Sequence, residues 1–242
     1  MKRVSIVIPA YNESAYIGIL LEKIADVDTG PLGFEKEVIV VNDGSTDNTE
    51  QIVRGFESTG VRCFNQVPNQ GKGRAVRRGI VEATGDYILI QDADLEYDPA
   101  DYLVMLQALS TGASSIYGSR TLGQFRKTGW SLTPGRHPHQ GFGPWLAGAL
   151  LSIWTLLLYA RWISDTLTAY KLYTAPFIKS LNLETSGFET DHEITARLIR
   201  AGFKITEVPI AYHPRGKHEG KKIKPSDGII AVWTLLKFRF KP

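Results

Sequence analysis

The sequence of 242 residues predicts an α/β domain with a mostly parallel central sheet flanked by helices. Short runs rich in β-branched residues at 4–8, 38–41 and 87–91 are typical of strands buried on both faces. Between the first two runs, apolar residues recur at helical spacing from 17 to 24. Strands that alternate with helices over such distances indicate a parallel sheet.

Further elements follow in chain order. The pattern after residues 38–41 breaks at Asn42-Asp43-Gly44, and residues 47–50 predict a capping box that begins the next helix. Residues 116–118 predict a fourth strand. A helix predicted at 191–201 is expected to end at Gly202, which would serve as its C-terminal cap.

Composition excludes several classes of protein. Apolar residues make up 43% of the chain and Cys63 is the single cysteine, which excludes a disordered tail, a collagen-like fibre and a disulfide framework. A lone cysteine fits a reducing compartment. The first apolar run is too short for the core of a signal peptide. A cytoplasmic location is therefore expected.

The net charge of +3 hides a division within the chain. Residues 1–119 carry 10 Lys and Arg against 17 Asp and Glu, a net charge of −7. Residues 120–242 carry 18 against 8, a net charge of +10. An acidic half and a basic half predict two different electrostatic roles. The alternative is uneven surface charge without a function.

Acidic and turn-forming residues follow each of the first three predicted strands. They are Pro9, Tyr11, Asn12 and Glu13 after the first strand, Asp43, Gly44 and Asp47 after the second, and Asp92, Asp94 and Glu96 after the third. Ligands of parallel sheets lie beyond the carboxyl ends of the strands. Several carboxylates at one edge predict a cation there, and with it a phosphorylated ligand.

The triplet Asp92-Ala93-Asp94 is weak evidence alone, because Asp26-Val27-Asp28 has the same spacing with no strand before it. The first triplet follows a buried strand, and Glu96 continues its phase. Such oxygen ligands suit Mg²⁺ or Mn²⁺ bridging a diphosphate. The alternative is a surface turn. No G-x-G-x-x-G follows the first strand, and Gly71-Lys72-Gly73 lacks the spacing of a P-loop.

Four segments together carry a resemblance to a known family. They are IVIPAYNE at 6–13, VVNDGSTD at 40–47, NQGKG at 69–73 and DAD at 92–94, with further matches at 118–120, 165–166, 170–171, 188–193, 207–209 and 219–223. The chain resembles family 2 glycosyltransferases of GT-A fold, and within them the dolichyl- and polyprenyl-phosphate sugar transferases. The resemblance covers nearly the whole chain as one domain, 1–242. Residues 1–119 would be its nucleotide-sugar-binding half, and residues 120–242 its acceptor-binding, membrane-facing half.

The resemblance implies an inverting, metal-dependent transfer of a sugar from GDP-mannose or a UDP-sugar to a polyprenyl or dolichyl phosphate. The implied donor site holds the nucleoside with Pro9, Tyr11, Glu13 and Asp43, the ribose and diphosphate with Asp92, Ala93 and Asp94, and the diphosphate charge with Lys72. Asp94 and Glu96, with Asp92 beside them, are the implied ligands of Mg²⁺ or Mn²⁺. Many relatives carry Gln where this chain has Glu96. A solvated loop lysine is the alternative for Lys72.

The basic half contains the implied acceptor site. Residues 120–141 carry four Arg and Lys and no acid, as expected of a loop that holds an anion or lies on an anionic bilayer. A flexible solvated loop is the alternative. In relatives the arginine after Gly-Ser meets the acceptor phosphate, and that residue is Arg120. Arg215 and Lys222 match a C-terminal loop that closes over the diphosphate, although this loop is longer and Lys221 replaces a serine.

Residues 142–160 carry no charge and just reach the length of a membrane span. Three tryptophans in and near this segment favour a helix lying in the membrane interface, with a core or dimer helix and a span as alternatives. The predicted partners are a nucleotide-diphospho-sugar, a lipid phosphate and the cytoplasmic face of a membrane, bound peripherally. No nucleic acid is predicted.

Asp191 matches the position of the general base in relatives that glycosylate a hydroxyl. With a phosphate acceptor, Asp191 would orient or assist. With a sugar or lipid hydroxyl, it would be an essential base, and this is the main alternative. Helix N-termini also favour carboxylates for purely structural reasons. A remote alternative is a non-catalytic membrane scaffold that binds nucleotide sugars.

Overall fold

The structure is a computed structural model that describes residues 1–129, 131, 133–139, 141–215 and 225–241. These residues form a seven-stranded sheet flanked by helices. The strands are β1 (Lys2–Ala10), β2 (Phe34–Asn42), β3 (Arg62–Asn65), β4 (Tyr87–Ile90), β5 (Ser115–Ser119), β6 (Lys171–Thr174) and β7 (Ile205–Pro209). The α-helices of the described residues are α1 (Ile17–Asp26), α2 (Thr49–Arg54), α3 (Lys72–Glu82), α4 (Tyr102–Ala108), α5 (Arg120–Thr128), α6 (Phe142–Tyr159), α7 (Ala175–Ser180), α8 (Thr190–Arg200) and α9 (Pro225–Phe240).

The strand order is β3-β2-β1-β4-β6-β5-β7. The first four strands of this order are parallel to one another, and β5 is parallel to β7. Strand β6 is antiparallel to both of its neighbours, β4 and β5. The expected α/β architecture with a mostly parallel sheet is therefore confirmed.

Strand β1 shows why the sheet is buried on both faces. Its residues Ile6 and Ile8 pack into one apolar cluster, whereas Val7 packs into a second cluster on the opposite face. All three are completely buried. Because side chains alternate along a strand, a run of β-branched residues supplies both clusters at once. Each such side chain contributes about 1.5–3 kcal/mol by leaving water.

The ends of two helices test the local predictions. Gly202 adopts a φ of +78° and its N–H donates to the carbonyl of Ile199, so the predicted C-terminal cap of α8 is confirmed. The capping box at 47–50 is wrong. Asp47 accepts hydrogen bonds from the N–H groups of Ser14 and Thr49, and Glu50 instead pairs with Arg54. Asp47 therefore ties the start of α2 to the loop after β1.

Helix α6 packs against α9, and α9 packs against α8. The indole N–H of Trp154 donates to the carbonyl of Val232, and the hydroxyl of Tyr159 donates to that of Leu235. By length and composition α6 is the one described helix that could cross a membrane, with only 17% of it buried. Leu157, for example, is 71% exposed. Most of α6 is therefore exposed in this single chain, and the interface helix, the dimer helix and the span remain predictions.

Candidate active site

The carboxylates predicted to gather at one edge of the sheet do so. Glu13 follows β1, and Asp92, Asp94 and Glu96 follow β4, whose neighbour in the sheet is β1. We refer to these four residues as the acidic rim. Their side chains are between 8% and 21% exposed, so the carboxylates are largely shielded from water yet open to a ligand.

Arg215 lies in the acidic rim. Its guanidinium Nη2 is 2.8 Å from Asp94 Oδ2, and its Nη1 is 3.4 Å from Glu13 Oε2. Its main-chain N–H donates to Glu96 Oε1 at 2.9 Å. The C-terminal segment that follows β7 therefore reaches the sheet edge, as the resemblance implied. Its positive charge there partly neutralises the carboxylates.

The pKa of Asp94 is raised from its ordinary value of 3.8 to about 7, chiefly by burial and then by the neighbouring charges of Asp92 and Glu96, against the opposing effect of Arg215. The rim therefore holds more negative charge than one arginine relieves. Mg²⁺ and Mn²⁺ prefer hard oxygen ligands, and carboxylates that are not fully neutralised provide them. The donor set fits such an ion, although no three of the described side chains already converge as a closed metal cluster.

Both carboxylate oxygens of Glu96 are engaged by the segment after β7. Oε2 accepts a hydrogen bond from the hydroxyl of Tyr212 at 3.0 Å, and Oε1 accepts the N–H of Arg215. Tyr212 was not predicted as a site residue, because a single tyrosine beyond a strand carries no motif. A metal ligated by Glu96 would share its oxygens with this segment.

Lys72, at the first position of α3, links the rim to Asp191. Its Nζ is 2.7 Å from Asp92 Oδ1 and 3.7 Å from Asp191 Oδ2. Burial alone would lower the pKa of Lys72, but Asp92 and Asp191 outweigh it and raise that pKa. With a side chain 15% exposed, Lys72 is not the solvated loop lysine of the alternative interpretation.

The two glycines around Lys72 allow a close approach of α3 to α8. A Cβ atom on Gly73 would lie 1.9 Å from Thr190 Oγ1 and 2.8 Å from the carbonyl carbon of Ser186. The N–H of Gly73 donates to Ser186 O at 2.7 Å. Gly71 has a φ of +94°, which favours glycine. The motif therefore brings α3 close to α8 and Lys72 close to Asp191.

Asp43 is 3% exposed and holds the segment before α3. Its Oδ1 accepts from Gln66 Nε2 at 2.6 Å and from the N–H of Gln70 at 2.8 Å, and its Oδ2 accepts from the N–H of Gly71 at 2.8 Å. The predicted contact between Asp43 and a base stays a prediction. Of the other predicted nucleoside residues, Tyr11 is 36% exposed, Pro9 is half-buried and Ala93 is buried.

Arg120, the predicted acceptor residue, begins α5 and forms a two-pronged ion pair. Its Nε and Nη2 both lie 2.7 Å from the carboxylate of Asp165, which also accepts the Arg120 N–H. Asp165 is itself placed by Glu207, whose carboxylate accepts the N–H groups of residues 164 and 165. Among the described residues nothing accepts a hydrogen bond from Nη1 of Arg120. Asp165 and Glu207 were not predicted as site residues.

A cavity of about 240 Å³ opens beside this pair. Arg120, Asp165 and Tyr212 line one part of it, and apolar side chains that include Trp145 and Trp162 line another. The ring of Tyr212 lies 4.9 Å from the Arg120 guanidinium, while its hydroxyl contacts Glu96. Tyr212 therefore joins the cavity to the acidic rim. Lys222, assigned to the closing loop, lies outside the described residues.

Comparisons with known proteins identify the family. The model of "Glycosyl transferase family 2" matches residues 5–155. A dolichyl-phosphate beta-glucosyltransferase of Trichomonas vaginalis is 27% identical over 96% of this chain and 72% of its own length. The corresponding enzyme of Saccharomyces cerevisiae is 30% identical over 86% of this chain and 66% of its own.

Among solved structures, glucosyl-3-phosphoglycerate synthase of Mycobacterium tuberculosis, crystallised with Mn²⁺, UDP and glucosyl-3-phosphoglycerate, superposes with a TM-score of 0.70. It is 22% identical, and the match covers 100% of this chain and 81% of that one. At this identity the likeness shows a shared fold, which is the expected GT-A type. Because the family model matches residues 5–155, more than half of the chain, the chain belongs to the family 2 glycosyltransferases.

Proposed function

We propose that this glycosyltransferase transfers a sugar from a nucleotide-diphospho-sugar to a polyprenyl or dolichyl phosphate, with inversion at the anomeric carbon. One observation carries the proposal: a buried arginine and an apolar cavity lie beside the acidic rim, joined to it by Tyr212. An acceptor with an anionic head and an apolar chain suits such a cavity. The dolichyl-phosphate transferases among the relatives support the same acceptor class.

In the proposed donor site, Asp94 and Glu96 hold Mg²⁺ or Mn²⁺ with Asp92 beside them. The ion would supply positive charge to the leaving diphosphate. Lys72, already among the carboxylates of Asp92 and Asp191, adds a second cation on the same side. Arg215 would leave Asp94 and Glu13 when the donor binds, and its guanidinium would then face the diphosphate.

In the proposed acceptor site, Arg120 orients the phosphate through Nη1 while Asp165 fixes its side chain. A phosphate monoester is mostly dianionic near neutral pH, since its second pKa is about 6, and needs no base. Its oxygen attacks the anomeric carbon from the face opposite the diphosphate, and the bond from that carbon to the diphosphate oxygen breaks. This single displacement inverts the configuration and requires no covalent carboxylate.

The hydroxyl-acceptor alternative is favoured by one observation. Asp191 remains 17% exposed at the start of α8, and its Oδ2 lies 3.7 Å from the lysine that also binds the rim. A carboxylate at this place could accept a proton from a hydroxyl. Removal of a general base lowers the rate by about 10²–10⁴-fold. A hydroxyl acceptor therefore predicts a loss of that size for Asp191→Asn.

The deciding experiment measures transfer from UDP-glucose and GDP-mannose, with Mn²⁺, to polyprenyl phosphate and to polyprenol of equal length. The wild-type chain is expected to use the phosphate alone. Asp191→Asn is expected to lose less than about 30-fold in kcat, well below the loss of a general base. Arg120→Ala should raise the KM for the phosphate strongly. Transfer to polyprenol, with a large loss in Asp191→Asn, would favour the alternative.

We further propose that the enzyme acts as one unit, 1–242, at the cytoplasmic face of a membrane. The two sequence halves share one sheet, since β4 of the first half pairs with β6 of the second. Helices α6 and α9 expose apolar side chains together, including Leu150, Leu157, Ile229 and Trp233. Lys237 and Lys241, near the end of α9, are also partly exposed. Such a surface suits peripheral binding to anionic headgroups.

Liposome co-sedimentation tests the membrane proposal. Binding to vesicles with 30% anionic lipid is expected to fall as salt rises, because the charges are screened. Leu157→Ser with Trp233→Ser should weaken binding without changing donor affinity, and the exposed Val81→Ser on α3 serves as a matched control. Undiminished binding by the double variant would contradict this surface.

A further inference from the structure

Lys171 is a charged residue in the middle of the sheet. It lies on β6, with Ile90 of β4 and Tyr117 of β5 as its cross-strand partners. Its side chain is 0% exposed. A fully buried ammonium group is costly unless it is well paired. Apolar and aromatic neighbours would favour an apolar residue here, so packing alone does not explain the lysine.

The contacts of Lys171 converge on Asp191. Its Nζ lies 3.4 Å from the main-chain carbonyl of Asp191 and 3.9 Å from Asp191 Oδ1. The same Nζ lies 4.8 Å from the centre of the Tyr117 ring. The Asp191 carbonyl also accepts the Thr195 hydroxyl at 2.8 Å, and that hydroxyl contacts Tyr117. Burial lowers the pKa of Lys171, while the charge of Asp191 opposes this effect.

Asp191 thus lies between two ammonium groups. Lys171 contacts Oδ1 from inside the sheet, and Lys72 contacts Oδ2 from the side of the acidic rim. The same Nζ of Lys72 lies 2.7 Å from Asp92 Oδ1. The charges of Arg120 and Asp165 also influence the pKa of Lys171. Asp191 can touch a ligand, whereas Lys171 has no exposed surface with which to do so.

We propose that Lys171 is a positioning residue that fixes the carboxylate of Asp191 between the donor and acceptor sites. Its kinetic consequence rests on the proposed function. The buried cation limits the rotation of the Asp191 side chain, which on a solvent-facing helix N-terminus would otherwise sample several rotamers. An ammonium group that only stabilised the fold would not affect kcat through Asp191.

The test is a double-mutant cycle of Lys171→Met and Asp191→Asn, with Lys171→Arg as the conservative variant. Each single variant is expected to lower kcat about 5–30-fold, the loss that one charged hydrogen bond represents, with the KM of the donor unchanged within about three-fold. The double variant should be no slower than the slower single variant. Lys171→Arg should recover part of the rate. The inference would be overturned if the double variant lost kcat by the product of the two single losses, or if neither single variant lost kcat.

A control and a second readout separate this inference from the proposed function. Lys36→Met removes an ammonium group that is only partly buried and lies outside the site, where it donates to carbonyls at the end of α1; this variant should leave kcat unchanged. In thermal unfolding without ligands, the Tm shifts of Lys171→Met and Asp191→Asn should be non-additive. A wild-type chain that transfers no sugar to polyprenyl phosphate would overturn the proposed function alone. Additive Tm shifts would overturn the positioning role.

Discussion

Asp94→Asn is expected to stabilise the unliganded protein while it abolishes its response to metal. The pKa of Asp94 is raised from 3.8 to about 7, chiefly by burial and then by Asp92 and Glu96. Between these two values the native state keeps a proton that the unfolded state has lost. Stability therefore falls as pH rises from about 4 to 7, and the whole cost is present above pH 7.

A shift of about three pKa units corresponds to about 4 kcal/mol at pH 8, and to about 1.5 kcal/mol at pH 5. An asparagine keeps the shape without the charge and removes this cost. Allowing for some loss of the contact between Asp94 and Arg215, we expect a gain of about 2–4 kcal/mol at pH 8. The melting temperature should rise by about 2–4 °C for each kcal/mol.

The assay is urea or thermal unfolding in EDTA at pH 5 and pH 8, followed by the same measurements with Mn²⁺. The wild-type chain should gain about 2.7 kcal/mol at a metal concentration of 100 Kd, and Asp94→Asn should gain little. Asp26→Asn changes an exposed carboxylate at the end of α1 and serves as the control. The reasoning is refuted if Asp94→Asn is no more stable than wild type at pH 8, or if its gain is as large at pH 5.

Three further predictions concern the residues around the rim. Arg215→Ala removes the guanidinium that lies 2.8 Å from Asp94, so calorimetry should show Mn²⁺ binding about 5–30-fold more tightly. Weaker binding of Mn²⁺ would contradict competition between Arg215 and the metal for Asp94. Gly73→Ala places a Cβ 1.9 Å from Thr190 Oγ1 and should cost about 1–3 kcal/mol in unfolding experiments, whereas Gly143→Ala, which meets no atom within 4 Å, should be neutral or stabilising. Tyr212→Phe removes the hydrogen bond to Glu96 and should lower kcat/KM for the lipid phosphate about five-fold, whereas an unchanged value would remove Tyr212 from the site.

The acidic edge of the sheet was predictable because each strand and the carboxylates that follow it are adjacent in the chain. A buried strand followed by carboxylates, as at Asp92 and Asp94, identifies both the element and its functional end. Parallel pairing of β1 with β2 and β4 then brings these ends together without further information. The spacing of the motif around Lys72 differs from that of a P-loop, and in the structure its glycines lie at the contact between α3 and α8.

The resemblance placed Arg215 in the site, but individual contacts between distant parts of the chain were not predicted. Strand β6 has four residues and begins with a lysine, so its central place in the sheet has no periodic signal. Tyr212 and Arg215 reach Glu96 across more than 110 residues, a contact that only the path after β7 determines. The capping box failed because Asp47 contacts Ser14 in another loop. The tertiary hydrogen bond of Asp47 outweighs the local capping preference.

The most direct test of the proposed function is a product analysis by mass spectrometry. The purified chain is incubated with Mn²⁺, a nucleotide-diphospho-sugar and an equimolar mixture of polyprenyl phosphate, polyprenol and 3-phosphoglycerate. Because the cavity beside Arg120 combines a cation with apolar walls, we expect a polyprenyl sugar phosphodiester as the main product, absent when EDTA replaces Mn²⁺. Sugar on polyprenol or on 3-phosphoglycerate in preference to polyprenyl phosphate would contradict it.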